Sequence, residues 1–199
     1  MVYQETHFGT VDEDGVATTV TCNAQIRNLA SGKAIVEGSG TFVVKSPAFT
    51  ESSSDNGTWT VTDTATLALT PKANLGYGTA TVKSGATLAL PQEGIVTLTG
   101  ALSLESGSTL SFKVLKNAGS VLDMNSKTLT LPASGKVKVK LTTDSVPVVG
   151  KSYTIISNTT LSDADVSKFE LADGISGMLS VVDGNLVYTA PTYFFISVR

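Results

Sequence analysis

The sequence predicts an all-β protein, a parallel β-solenoid of short coils of roughly twenty residues. Three observations carry this expectation. Short β-branched runs alternate along almost the whole chain, closely similar segments recur at offsets of 21 and 22, and glycines punctuate them at matching places.

The alternation comes first. Thr41–Val44, Thr58–Val61, Thr79–Val82, Ile95–Leu98, Leu129–Leu131 and Val137–Leu141 are brief period-2 runs bounded by Gly, Ser, Asn or Asp, the signature of half-buried strands. Further strands are expected at Tyr153–Ile156 and Leu179–Val182. The one helical signal, Ser162 to Phe169, is long enough for a single turn capped by Ser162.

The repeats then fix how these strands assemble. Segment 58–69 (TWTVTDTATLAL) aligns without gaps on 79–90 (TATVKSGATLAL), with eight of twelve positions identical. A third copy, ALSLESGSTLSF, follows at 101–112, and a half-motif returns at Gly119–Met124. A unit this short cannot bury its own apolar face, so successive copies must stack. Stacking places Val61, Leu67 and Leu69 against Val82, Leu88 and Leu90, and these against Leu104, Leu110 and Phe112, with Thr and Ser pointing outward.

Gly40, Gly57, Gly78, Gly85, Gly100 and Gly107 are expected at the corners. Coils of twenty residues would give nine or ten rungs and a rod of about 45 Å at the usual strand spacing. The expected organisation is an N-terminal cap at 1–37, a repeat core at 38–141, and a continuation with an irregular cap at 142–199. An antiparallel β-sandwich is the alternative, because Asp12-Glu13-Asp14-Gly15 and Asp183-Gly184-Asn185 read as hairpin turns.

The pattern Gly-Thr-Trp/Ala-Thr-Val followed by Gly-Ala-Thr-Leu-Ala-Leu, at 57–61, 78–82 and 85–90, resembles autotransporter-associated β-strand repeats. The similarity runs over about 38–131, and the ending at Gly174–Tyr188 resembles the closing strands of such proteins. The resemblance implies a single-stranded right-handed parallel β-helix at the bacterial cell surface or in the medium. It further implies a stalk or spacer without catalytic residues. The chain shows neither the signal peptide nor the membrane barrel of a complete autotransporter.

Composition narrows the function classes. With a net charge of −3 and only two arginines, Arg27 and Arg199, the chain lacks the basic footprint of a nucleic-acid binder. No run approaches the about 20 apolar residues of a membrane helix. The single cysteine, Cys22, lies in an alternating run and reads as a buried, inert thiol.

Candidate chemistry is sparse. His7 is the only histidine and reads as a surface residue. Asp12-Glu13-Asp14-Gly15 lacks the distal bidentate glutamate of a calcium loop and reads as a solvated turn, and Asp163 with Asp165, which would point the same way if extended, reads likewise. A β-helical polysaccharide lyase or hydrolase would need carboxylates aligned on successive coils, whereas Asp63, Lys83 and Glu105 fall at or beside turns. Lys136, Lys138 and Lys140 share one strand face and read as solvated lysines that discourage edge pairing, or as contacts to an acidic glycan. Trp59 and Tyr77 offer a sugar-stacking platform, although packing against a neighbouring coil is the expected role of Trp59. Asn56-Gly57-Thr58 and Asn158-Thr159-Thr160 match the glycosylation triplet.

The expectation is therefore a non-enzymatic extracellular structural module with no catalytic, metal or cofactor residues. Glycans or a host surface are its expected contacts, and end-to-end self-association through the terminal coils is a further expectation. A carbohydrate-binding surface module and the β-helical polysaccharide enzyme are the alternatives.

Overall fold

The structure, a computed structural model, describes residues 5–23, 32–45, 57–144 and 147–192. The first coil contributes β1 (Glu5–Gly9) and β2 (Thr19–Cys22), the second β3 (Lys33–Glu37) and β4 (Thr41–Val44), and the third β5 (Thr58–Val61) and β6 (Thr66–Leu69). The fourth adds a third strand: β7 (Ala80–Val82), β8 (Thr87–Leu90) and β9 (Gly94–Thr97). The fifth comprises β10 (Leu102–Leu104), β11 (Thr109–Lys113) and β12 (Ser120–Asp123), and the sixth β13 (Leu129–Thr130), β14 (Val137–Thr142) and β15 (Ser152–Ser157). A 3-10 helix (Asp163–Lys168), β16 (Phe169–Leu171) and the strands β17 (Met178–Val182) and β18 (Asn185–Thr189) follow.

Strands from successive coils pair in parallel, so the protein is a β-solenoid. One sheet runs β1-β3-β5-β7-β10-β13, a second β2-β4-β6-β8-β11-β14-β16, and both are wholly parallel. The third begins parallel as β9-β12-β15 and closes with antiparallel β18 and β17.

The register aligns the repeat copies as the spacing requires. Val61 pairs Val82 and Val82 pairs Leu104 in the first sheet. In the second, Leu67 pairs Leu88, Leu88 pairs Leu110, and Leu90 pairs Phe112. All of these side chains are at most 2% exposed, giving continuous apolar columns down the interior. Each fully buried Leu contributes on the order of 1.5–3 kcal/mol relative to exposure. Outward positions carry Thr41, Thr66, Thr87 and Thr109 in one matching column, which suits β-branched residues on a pleated surface.

The corners are hydrogen-bonded as well as the strands. Gly85 N–H donates to Gly107 C=O at 3.1 Å, and Gly107 N–H to Lys136 C=O at 2.8 Å, so turns stack upon turns. Gly85 and Gly107 hold φ of 85° and 80°, in the left-handed region that glycine occupies without steric cost. Gly100 serves differently: a Cβ there would lie 1.9 Å from Gly78 O, so its hydrogen is needed for two corners to touch.

Three expectations require correction. Among the described residues the stack is seven rungs high, because only the central coils keep the short offset. Lys33 pairs Thr58 at an offset of 25, Leu102 pairs Leu129 at 27, and Leu122 pairs Ile156 at 34. The seven-stranded sheet therefore spans about 29 Å rather than about 45 Å. The antiparallel sandwich is not formed, although both of its turn signals reverse the chain locally. Asp183 and Gly184, at φ of 50° and 77°, join β17 to β18, while Val11 bridges Ala17 around the Asp12–Gly15 turn. Cys22 is partly rather than fully buried, because β2 is the outermost strand of its sheet.

The strands of segment 1–37 belong to the same sheets as those of the central repeats: β3 pairs β5 through Lys33–Thr58 to Val36–Val61. Across the first three coils Phe8, Phe42 and Trp59 form an aromatic cluster, with Phe8 and Trp59 stacked at 6.0 Å. The Trp59 indole is 1% exposed and donates to Leu75 C=O at 3.0 Å.

Candidate functional site

A cleft of about 510 Å³ opens where the seventh coil leaves the stack. Its origin can be followed bond by bond. Up to the corner after β15 the chain stays in register with the coil below: Met124 N–H donates to Ser157 C=O at 3.0 Å and Ser126 N–H to Asn158 C=O at 3.0 Å. Asn158 Nδ2 also donates to Asp123 Oδ1 at 2.8 Å. Beyond it, the hairpin of β17 and β18 draws the chain outward, with Thr159 Oγ1 and Leu161 N–H both bonded to Gly184 C=O. The 3-10 helix then carries the chain back into the second sheet at β16.

The first sheet consequently ends at β13, and the place its next strand would occupy is the cleft. The β13 side contributes Lys127, Thr128, Leu129, Leu131 and Pro132, and the displaced segment contributes Asn158–Leu161, Asp165 and Lys168. Leu129 and Leu131 continue the apolar column of Leu102 and Leu104 but remain half-buried, since among the described residues no strand pairs beyond β13 to cover them.

Two of the three charged side chains that line this cleft, Asp165 and Lys168, are engaged. Asp165 accepts from Ser162 Oγ at 2.7 Å and from Ser162 N–H at 2.8 Å. These bonds, the hydroxyl one first, hold its carboxyl below the usual range. Lys168 Nζ donates to Ala133 C=O at 2.6 Å and closes one end. The lining contains a single carboxylate, so it does not present the paired carboxyl groups of glycosidic hydrolysis.

The residues singled out by sequence lie elsewhere, except for Asp165 and the Asn158–Thr160 triplet. His7 is exposed on β1, 3.1 Å from Glu37 and 3.9 Å from Glu5. Asp12 Oδ1 accepts from Asp14 N–H at 3.1 Å and Val16 N–H at 2.8 Å, so its carboxylate builds its own turn. Among the described residues no three His, Cys, Asp or Glu side chains gather as a metal site. Asp163 and Asp165 lie in the first turn of the 3-10 helix, not on one strand face.

Asp63 takes a left-handed corner and accepts from Gly38 N–H at 3.0 Å. Lys83 and Glu105 pair across adjacent coils at 2.6 Å, and this bond is the main cause of the lowered Glu105 pKa. Lys138 and Lys140 are exposed on β14, and Lys136 lies 3.8 Å from Glu170. Since β14 is flanked by β11 and β16, these lysines do not guard an edge. Trp59 is inside and Tyr77 outside, so the two rings form no platform. Arg27, Arg199 and Asn56 lie outside the described residues.

A second, apolar cleft of about 330 Å³ lies at the opposite corner of the terminal coil, between Val114, Leu141, Val149, Ile175 and Tyr188. Comparison with protein-family models and with curated proteins gave no match.

Proposed function

We propose that the chain is a structural repeat module: a non-enzymatic stalk or spacer of a bacterial surface or secreted protein, of the kind its resemblance to autotransporter-associated repeats implies. The observation that carries this reading is the self-sufficiency of the central stack. Columns of Leu, Val and Phe, parallel ladders and hydrogen-bonded corners hold coil to coil, and each needs only its neighbours. Ion pairs reinforce the axis from outside, linking Lys33 to Glu5, Lys83 to Glu105 and Lys113 to Asp144 across successive coils.

A spacer of this design can change length by whole coils. Duplicating residues 79–100, one coil of the regular type, is expected to add about 4.8 Å of stack and leave a single cooperative unfolding transition. A duplicated chain that unfolds below the parent or loses cooperativity would overturn the reading. Release of reducing ends or unsaturated products from acidic or neutral polysaccharides would overturn it in favour of an enzyme.

A further inference from the structure

We propose that the cleft beside β13 is a strand-accepting site that binds an extended peptide segment by β-augmentation, with apolar residues at alternate positions. The argument starts from the hydrogen-bond ladder of the first sheet. In the third, fourth and fifth coils the inward residue donates its N–H to the next coil: Trp59 to Thr79 C=O at 3.0 Å, Ala80 to Ala101 C=O at 2.9 Å, Leu102 to Thr128 C=O at 2.9 Å. Leu129 is the next residue in that column. Its N–H faces the cleft and makes no hydrogen bond among the described residues, and the same holds for Leu131 two positions on.

Backbone groups exposed at such an edge select a partner that returns them in the same rhythm, which an extended polypeptide does and a glycan does not. Side-chain chemistry agrees. Leu129 and Leu131 are half-buried ends of columns whose lower members, Leu102 and Leu104, are at most 2% exposed. An incoming strand with apolar residues at positions i and i+2 would extend both columns by one rung. The slot runs from the corner at Asn158 to the Lys168–Ala133 bond. No aromatic side chain lines it to stack on a sugar ring.

The probe is an eight-residue peptide copying Ala101–Ser108 (ALSLESGS), the stretch that pairs β13 from its other side. It is titrated into the full chain while amide exchange is followed at Leu129 and Leu131. Saturable binding that slows both amides at least about tenfold is expected. Two analogues N-methylated at alternate residues, in opposite phase, provide the control. One phase blocks the backbone groups facing β13 and is expected to abolish binding, and the other is expected to retain it. Three outcomes overturn the proposal: no slowing at either amide, equal binding by both analogues, or both amides already protected in the chain without peptide. If that last chain is a dimer, a second copy fills the slot; if a monomer, a segment of the same chain does. The test is independent of the spacer reading, since a duplicated central coil leaves β13 untouched.

Discussion

The fourth and fifth coils and the sixth and seventh are made of the same material but obey different rules about length. Between the fourth and fifth, each strand of the first and second sheets meets its partner 22 residues later, as Leu88 meets Leu110 and Ala80 meets Leu102. Later the offset grows to 29 where Thr109 meets Lys138, and to 32 where Val137 meets Phe169. Yet the inward side chains remain in register: Leu110 still lies beside Val139 and Phe112 beside Leu141. The buried columns therefore set the register, and surplus residues are expelled at the corners, where chain is cheap to add. In the seventh coil the surplus removes a strand of the first sheet altogether, and the cleft is the result.

The sharpest way to break this comparison is to charge the columns. Leu88→Asp or Leu110→Asp places an unpaired carboxylate where exposure is 0%, and a loss above about 4 kcal/mol is expected. That removes most of the stability of a domain at the lower end of the usual about 5–15 kcal/mol. Leu129→Asp lies at the end of the first-sheet column, beyond Leu102, and faces the cleft, so it should leave a folded chain with a modestly lowered melting temperature. Equal losses at Leu110 and Leu129, measured by thermal unfolding, would show that the seventh coil seals the column after all.

Glycine corners come next. Gly100→Ala drives a Cβ to 1.9 Å from Gly78 O and to 2.9 Å from Gly76 O, backbone atoms that cannot swing aside. A cost of several kcal/mol is expected. Gly174→Ala, in the terminal region, meets nothing within 4 Å and pays only for its φ of +80°, about 1–2 kcal/mol. Chemical denaturation of the two variants separates close approach from backbone strain. Similar midpoints would mean that the central corners relax more than their contacts imply.

How much of this was visible in the sequence follows the same division. The columns through Val61, Val82 and Leu104 and through Leu67, Leu88 and Leu110 could be read off directly, because identical residue types recur at a fixed spacing. The number of coils could not, since segments such as 116–119 and 147–151 add length without periodicity. The third sheet was half visible: Ile95–Leu98 read as a strand, but its pairing partner Ser120–Asp123 read as a fragment of the other motif. The cleft left no positive signal, being the place where a strand is missing. Pro132, after the last alternating run of the first sheet, was its one trace, and Asn158-Thr159-Thr160 attracted notice for an unrelated reason.

A smaller effect is expected for Trp59→Phe. It keeps the ring in the Phe8–Phe42 cluster but removes the donor to Leu75 C=O, leaving a carbonyl in a dry interior. A loss of about 1–3 kcal/mol is the usual cost of such an orphan. The same variant should speed amide exchange around Leu75 and leave Leu110 unaffected, since interactions in a stack are confined to neighbouring coils. Exchange that rises equally along the whole chain would show that the stack unfolds as one unit at its weakest coil.

The smallest effect concerns the ion pair between the fourth and fifth coils. Glu105 has its pKa lowered chiefly by the bond to Lys83 Nζ, with Ser84 N–H assisting, so it binds its proton less readily folded than unfolded. The linkage then runs one way. The stabilisation is fully present above the unfolded value near 4.3 and disappears as pH falls through the lower folded value. The side chain is 41% exposed, so solvent screening keeps the effect to about 0.2–1 kcal/mol. Glu105→Gln should therefore lower stability slightly at pH 7, and the difference from the parent should shrink as pH falls through the folded value. Asp165, lowered by Ser162 in the terminal region, shifts the same limb in the same sense, but it bonds within its own helical turn. Added salt should weaken the Lys83–Glu105 contribution and spare that of Asp165. A salt response of equal size at both would mean that the axial ion pairs add nothing that a local cap does not.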